Sequence, residues 1–104
     1  MDAYKVIIAE PAKSDLRGIA RYISSQLNAP TAALNTVRAV NESIAKLKTD
    51  ALFYPFVRDD RLASFGYRSI VVKNYMAFYV INEKENIVTV DRILYGRRDW
   101  QSVL

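Results

Sequence analysis

The sequence predicts one α+β domain: an N-terminal strand and an antiparallel two-helix hairpin packed on a mainly antiparallel sheet that a C-terminal three-stranded meander completes. Three observations lead there. Between Phe65 and Trp100 lie three short apolar segments rich in Val, Ile, Tyr and Phe, each bounded by polar turn chemistry, as consecutive antiparallel strands are. Upstream, two apolar stripes recur at helical spacing, each opened by a proline. A chain of 104 residues has room for one core and not for two, so residues 1–104 are read as a single domain.

Tyr4 to Ala9 reads as the first strand. Pro11 then suits the first turn of a helix, and Ala12, Leu16, Ile19, Ala20, Ile23 and Leu27 fall on one helical face, with Lys13, Asp15, Arg17 and Arg21 elsewhere on the cylinder. Asn28 and Ala29 break the pattern. Pro30 opens a second helix through Ala33, Val37, Val40, Ile44 and Leu47. So short a link makes the helices antiparallel neighbours, and their shared apolar seam must be buried on the sheet. Asp50 to Ser64 fits neither period. Leu52, Phe53, Tyr54, Pro55 and Phe56 are expected to pack over the edge of the core. Arg58, Asp59, Asp60 and Arg61 form an exposed turn, whose arginines either pair with the adjacent aspartates or are presented for function.

In the meander, Tyr67 to Val72 is the first strand, Lys73 and Asn74 a tight connection, Tyr75 to Ile81 the second strand, Asn82 to Asn86 a turn, and Ile87 to Tyr95 the third, ended by Gly96. A tail from Arg97 to Leu104 docks through Trp100, Val103 and Leu104. Strict alternation puts Arg68 on a face with Ile70 and Val72, and Arg92 on a face with Val88, Val90 and Leu94. Arg68 and Arg92 are neighbours only if the middle strand is crossed diagonally. Each either snorkels from a sheet end or faces a ligand. Tyr67, Tyr75, Tyr79 and Tyr95 share odd parity, which permits an aromatic RNA-binding face, although core packing is the simpler role.

Composition excludes several chemistries. With neither Cys nor His, the chain has no disulfide, no thiol or Ser–His nucleophile, and no usual ligand set for zinc or another transition metal, so neither metal nor cofactor is expected. Its three glycines are isolated and build no phosphate loop. The acidic pairs Asp59 with Asp60 and Glu83 with Glu85 lie in turns, where solvated charge explains them. No apolar run approaches the ~20 residues of a membrane span, and the start, with Asp2 in second position, lacks a signal pattern, so a cytoplasmic protein without membrane contact is expected. Net charge is +4. Six of the eight cations after Val57 are arginines, against three of seven before it. Because the guanidinium fork suits phosphate and carboxylate, the sheet region is the natural place for a polyanion or an acidic protein segment.

The order of YKVIIA, AKSDLRGIARYI, the helix after NAP, the YP loop, GYRSIVVKNYMAFYV and VTVDRILYGRRDW resembles the RelE/ParE superfamily of bacterial type II toxins over nearly the whole chain. The resemblance implies a toxin neutralised by a small acidic antitoxin, and it implies two different activities. RelE-like members cut mRNA on the ribosome, whereas ParE-like members inhibit DNA gyrase by binding it. Ribosome-dependent mRNA cleavage is the first expectation; gyrase inhibition, or an inactive member serving as a binding module, is the alternative. For cleavage, the resemblance casts Arg68 as phosphate stabiliser, with Arg92, Arg97 or Arg98 as second cation and Tyr95 as acid or stacking surface. Arg58, Arg61, Lys73, Arg97 and Arg98 are then candidates for holding RNA or a target. The departure from the nuclease pattern is the base: there is no His, and arginine stays protonated.

Overall fold

Ile87–Tyr95 is the strand on which every layer meets. The computed structural model describes residues 3–104; Asp2, whose charge entered the reading of the N-terminus, lies outside them. In order, the elements are β1 (Lys5–Ile8), α1 (Glu10–Arg21) running into a π-helical turn (Tyr22–Gln26), α2 (Pro30–Ala45), α3 (Leu47–Asp50), α4 (Asp60–Ser64), β2 (Arg68–Val72), β3 (Tyr75–Asn82), β4 (Ile87–Tyr95) and α5 (Trp100–Val103). The strands form a sheet in the order β1-β4-β3-β2. β2, β3 and β4 are the expected antiparallel meander, and β1 runs parallel to β4 from Lys5 opposite Ile87 to Ile8 opposite Val90.

Apolar periodicity explains the layers. The stripes of α1 and α2 deliver Ala12, Val40 and Ile44 onto one face of the sheet, where they join Leu47, Ile70, Ala77, Tyr79, Val88, Val90 and Ile93. Tyr79 is fully buried there, and its hydroxyl donates to the Ala51 carbonyl at 2.7 Å, so its polar end is satisfied. The opposite face is also covered. Val57 and Leu62 meet Phe78 and Leu94, and the tail docks as expected, with the Trp100 ring 5.2 Å from that of Phe78.

Three expectations change. First, α4 falls inside the stretch read as irregular. The Asp59 carboxylate caps it by accepting from the Leu62 amide at 3.0 Å, so Asp59 is spent on the backbone. Arg58 and Arg61 accordingly do not pair with Asp59 or Asp60: the ion pairs among the described residues are Lys13 with Glu10 and Arg92 with Asp15, and Arg61 donates to the Gln101 carbonyl. Second, Leu52, Phe53 and Phe56 stay exposed and outside both cores; Phe53 is 82% exposed, because the segment turns Tyr54 and Val57 inward instead. Third, β4 contains a bulge. Phe78 pairs with Arg92 and Tyr79 with Val90, which leaves Asp91 as the extra residue. One inserted residue swaps the faces beyond it, so Leu94 belongs to the opposite core from Val88 and Val90, and Arg92 does not share one face with all three. Odd parity likewise fails to unite the tyrosines: Tyr67 packs on the second core and Tyr79 in the first.

Two tyrosines make the fold sensitive to alkali. The Tyr67 hydroxyl, partly buried and donating to Asp91 at 2.7 Å, is pushed up to about 12 by burial and then by that carboxylate; burial pushes Tyr79 to about 12 as well. Both folded values lie above the unfolded value near 10, so their stabilisation is complete below that pH and is lost as pH rises toward 12. Melting temperature should therefore fall across that window, and Tyr67→Phe should make the fall shallower. An equally steep fall in Tyr67→Phe would remove Tyr67 from the account.

Candidate functional site: a tyrosine-lined cleft at the end of the sheet

β4 outruns its parallel neighbour. Pairing with β1 stops at Val90, after which the Ala9 amide donates to the Val90 carbonyl at 2.9 Å and the chain turns into α1. The freed edge of β4 is then met by Asp15, just over a turn into that helix. Its carboxylate accepts from Arg92 Nε at 2.7 Å and Nη2 at 2.9 Å, and from the backbone amide of Ile93 at 2.9 Å. One side chain thus replaces a missing strand and anchors α1 on β4. The hydrogen bonds to Asp15 push the Arg92 guanidinium further above its ordinary range, against the opposing effect of burial.

Farther along α1 the helix widens into the π turn, and Asn28 ends it in left-handed backbone at φ 50°, a conformation asparagine tolerates. Tyr22 and Leu27 remain 53% and 56% exposed beside the end of the sheet. Between them and the strands lies a cleft of about 720 Å³, a size typical of ligand sites. Ile19, Tyr22 and Leu27 form one wall, Tyr75, Ile93 and Tyr95 the floor, and Asn74 and Arg98 the rim. Tyr75 and Tyr95 are cross-strand partners with rings edge to face at 5.9 Å. Burial raises the Tyr75 hydroxyl, helped by its neighbours Tyr22 and Tyr95, so three phenols share this space. The Gly96 amide donates to the Asn74 carbonyl at 2.8 Å and stitches the end of β4 to the β2–β3 turn. A Cβ at Gly96 would sit 3.3 Å from that oxygen, tight enough to favour glycine.

The residues singled out from sequence divide among separate places. Tyr95 lies on the cleft floor and Arg98 on its rim, while Arg97 and Lys73 are exposed on the adjoining segments. Arg92 is held by Asp15. Arg68 sits opposite Tyr79, four residues along β3 from Tyr75 and so roughly 13 Å away along the strand. There it donates to the Tyr54 carbonyl, and its guanidinium lies 4.1 Å above the Phe56 ring. Arg58 is exposed in the loop before α4, and Arg61 lies on α4 beside the tail. Sequence reasoning missed Tyr22, Asn74 and the anchoring role of Asp15. Among the described residues, no group of three or more acidic, His or Cys side chains is placed to hold a metal ion, and no helix is long and apolar enough to cross a membrane.

Comparison with known proteins assigns the chain to a family. Residues 6–100 match the family described as the ParE toxin of the type II toxin-antitoxin system, parDE. No curated protein sequence matches the chain. Among solved structures, the chain is similar to one in the chromosomal ParDE toxin-antitoxin system from P. aeruginosa, at 18% identity and a TM-score of 0.73, over 89% of this chain and 96% of that one. It is also similar to one in the RelBE2 toxin-antitoxin complex from Mycobacterium tuberculosis, at 20% identity and a TM-score of 0.65, over 89% and 98%. At those identities the structural likeness speaks for the fold, and the family match carries the classification. The chain belongs to the ParE toxin family of type II toxin-antitoxin systems, within the RelE/ParE superfamily.

Proposed function

We propose that this toxin acts by binding a protein target, DNA gyrase, rather than by cutting mRNA, and that a small acidic antitoxin neutralises it in the cytoplasm. The observation that carries this reading is where the arginines go. Cleavage by a ribose 2′-hydroxyl needs a base, a cation on the phosphate and an acid, all within about 3 Å of the reacting atoms. Arg92 is forked onto Asp15, and Arg68 is bound to the Tyr54 carbonyl roughly 13 Å along β3 from the Tyr75–Tyr95 pair, which leaves Arg98 as the one arginine lining the cleft with Tyr95. Burial also favours the protonated Tyr75 phenol, the wrong direction for a base. Inhibition by binding requires none of these groups to converge on a phosphate.

Two assays on one preparation separate the readings. Purified toxin should block supercoiling by gyrase, and primer extension on mRNA from induced cells should find the transcripts intact. Cut mRNA with unimpaired supercoiling would replace this reading with ribosome-dependent cleavage. Normal growth at high soluble levels of the toxin would replace both with a binding module. Growth arrest should be relieved when the acidic product of a neighbouring reading frame is co-expressed.

A further inference from the structure

The cleft gathers free recognition groups on apolar walls. Among the described residues, the tyrosine hydroxyls with protein partners are those of Tyr67 and Tyr79, which leaves Tyr22, Tyr75 and Tyr95 available. Arg98 belongs to neither ion pair among those residues. Asp15 is the one acid lining the cleft, and Arg92 neutralises it, so the charges left at the rim are Arg98 and, on the adjoining exposed segments, Arg97, Lys73 and the carboxylate of Asp99, which accepts from the Ser102 hydroxyl; cations outnumber acids there by three to one. The π turn is an independent pointer: such widened turns disturb helical hydrogen bonding and concentrate at functional sites, and this one sets Tyr22 and Leu27 over the opening.

The geometry points to this cleft as the docking site for an acidic segment of the protein that the toxin inhibits. A bulky apolar side chain of that segment sits on Tyr75 and Tyr95 between Ile19 and Leu27, and a neighbouring carboxylate meets Arg98. The inference rests on the reading that the toxin acts by binding a protein. Charge complementarity selects an acidic segment, and the aliphatic walls select a peptide anchor. A nucleic acid strand would want cations tracking its backbone along the groove, whereas among the residues lining this cleft Arg98 is the one cation left without an acidic partner, Arg97 and Lys73 lying on segments beside it.

The test titrates isotope-labelled toxin with a short synthetic peptide of glutamates around a central phenylalanine. Saturable, salt-sensitive shifts are expected at Tyr22, Asn74, Tyr75 and Tyr95. Arg98→Glu and Tyr22→Ala should each weaken binding roughly tenfold or more. Because a tyrosine-to-alanine change can loosen the fold, a charge swap is decisive: Arg98→Glu should prefer the matching lysine peptide. In cells, Arg98→Glu at equal soluble level should lose growth arrest and still co-purify with the antitoxin. The inference fails if the shifts lie outside the cleft, if Arg98→Glu binds the glutamate peptide as well as the unaltered toxin does, if single-stranded RNA displaces the peptide, or if Arg98→Glu keeps its toxicity. Peptide binding without any effect on gyrase would sink gyrase as target and leave the cleft standing. Gyrase inhibition undiminished in Arg98→Glu would do the reverse.

Discussion

Asp15→Ala is expected to cost the fold about 3 kcal/mol, a large share of the stability of a domain of this size. The substitution removes the acceptor of three hydrogen bonds at once. What remains is worse than an empty site. The Arg92 side chain, 26% exposed, becomes a partly buried cation without a partner, and the Ile93 amide faces a strand edge that β1 does not reach. Severing a fully buried pair costs about 3–5 kcal/mol and an unmet buried amide about 1–3, and partial exposure of this pair keeps the total near the lower end. Urea denaturation should show a lower midpoint at unchanged slope. Asp15→Asn, which still offers an oxygen to the Ile93 amide, should lose less. In a double-mutant cycle, Asp15→Ala with Arg92→Leu should be milder than the sum of the single changes, because no stranded cation is left behind. A loss below about 0.5 kcal/mol in Asp15→Ala would reduce the pair to an ordinary surface bridge.

The same pair shows what the sequence could and could not express. Helix and strand periods are local, so the stripe from Ala12 to Leu27, the second stripe from Ala33 to Leu47 and the meander with its Lys73–Asn74 turn could all be read directly, and the fold class follows from them. A bulge is different. Nothing in IVTVDRILY announces that Asp91 is the extra residue, because the bulge is defined by pairing with β3, and every face assignment beyond it inverts. Asp59 was legible in principle: an Asp before Asp60–Ser64 with Leu62 three residues on fits an N-cap, but the flanking aromatics hid so short a helix.

For the site, the sequence pointed to the cations and to Tyr95, because charge and aromaticity are visible residue by residue. It could not say which cations are spent. In sequence Arg92 reads as snorkelling from a sheet end or facing a ligand, and Asp15 only as lying off the apolar stripe of α1, because their meeting spans 77 residues of chain. Tyr22 was missed for a related reason. It lies off the apolar stripe on a regular helix, and only the π turn and the hairpin geometry set it across from Tyr75 and Tyr95. One local signal did exist, the dipeptide Asn28–Ala29 before Pro30, which marked a bend; it gave no direction for the side chains.

Arg68→Ala divides the two activities by magnitude. If Arg68 stabilised a phosphate that gains charge in the transition state, removing it would lower cleavage by roughly 10² or more, and toxicity with it. The structure gives Arg68 a different occupation: it donates to the Tyr54 carbonyl, its guanidinium lies over the Phe56 ring, and it is itself the β2 residue with which Phe56 forms a single antiparallel bridge. Losing a charged hydrogen bond and a partly exposed cation–π contact should cost about 2 kcal/mol. The loop from Leu52 to Phe56 should loosen with it, visibly as faster amide exchange at Val57, whose N–H donates to the Tyr67 carbonyl. Toxicity should stay within a few-fold of the unaltered protein once soluble levels are matched, because Arg68 does not line the cleft, whose Tyr75 lies four residues away along β3. Arg68→Lys should fall between the two in stability, keeping the charge and losing the planar face that lies on the ring. A hundredfold loss of growth arrest in Arg68→Ala, with amide exchange at Val57 unchanged, would return Arg68 to a phosphate and the toxin to translation.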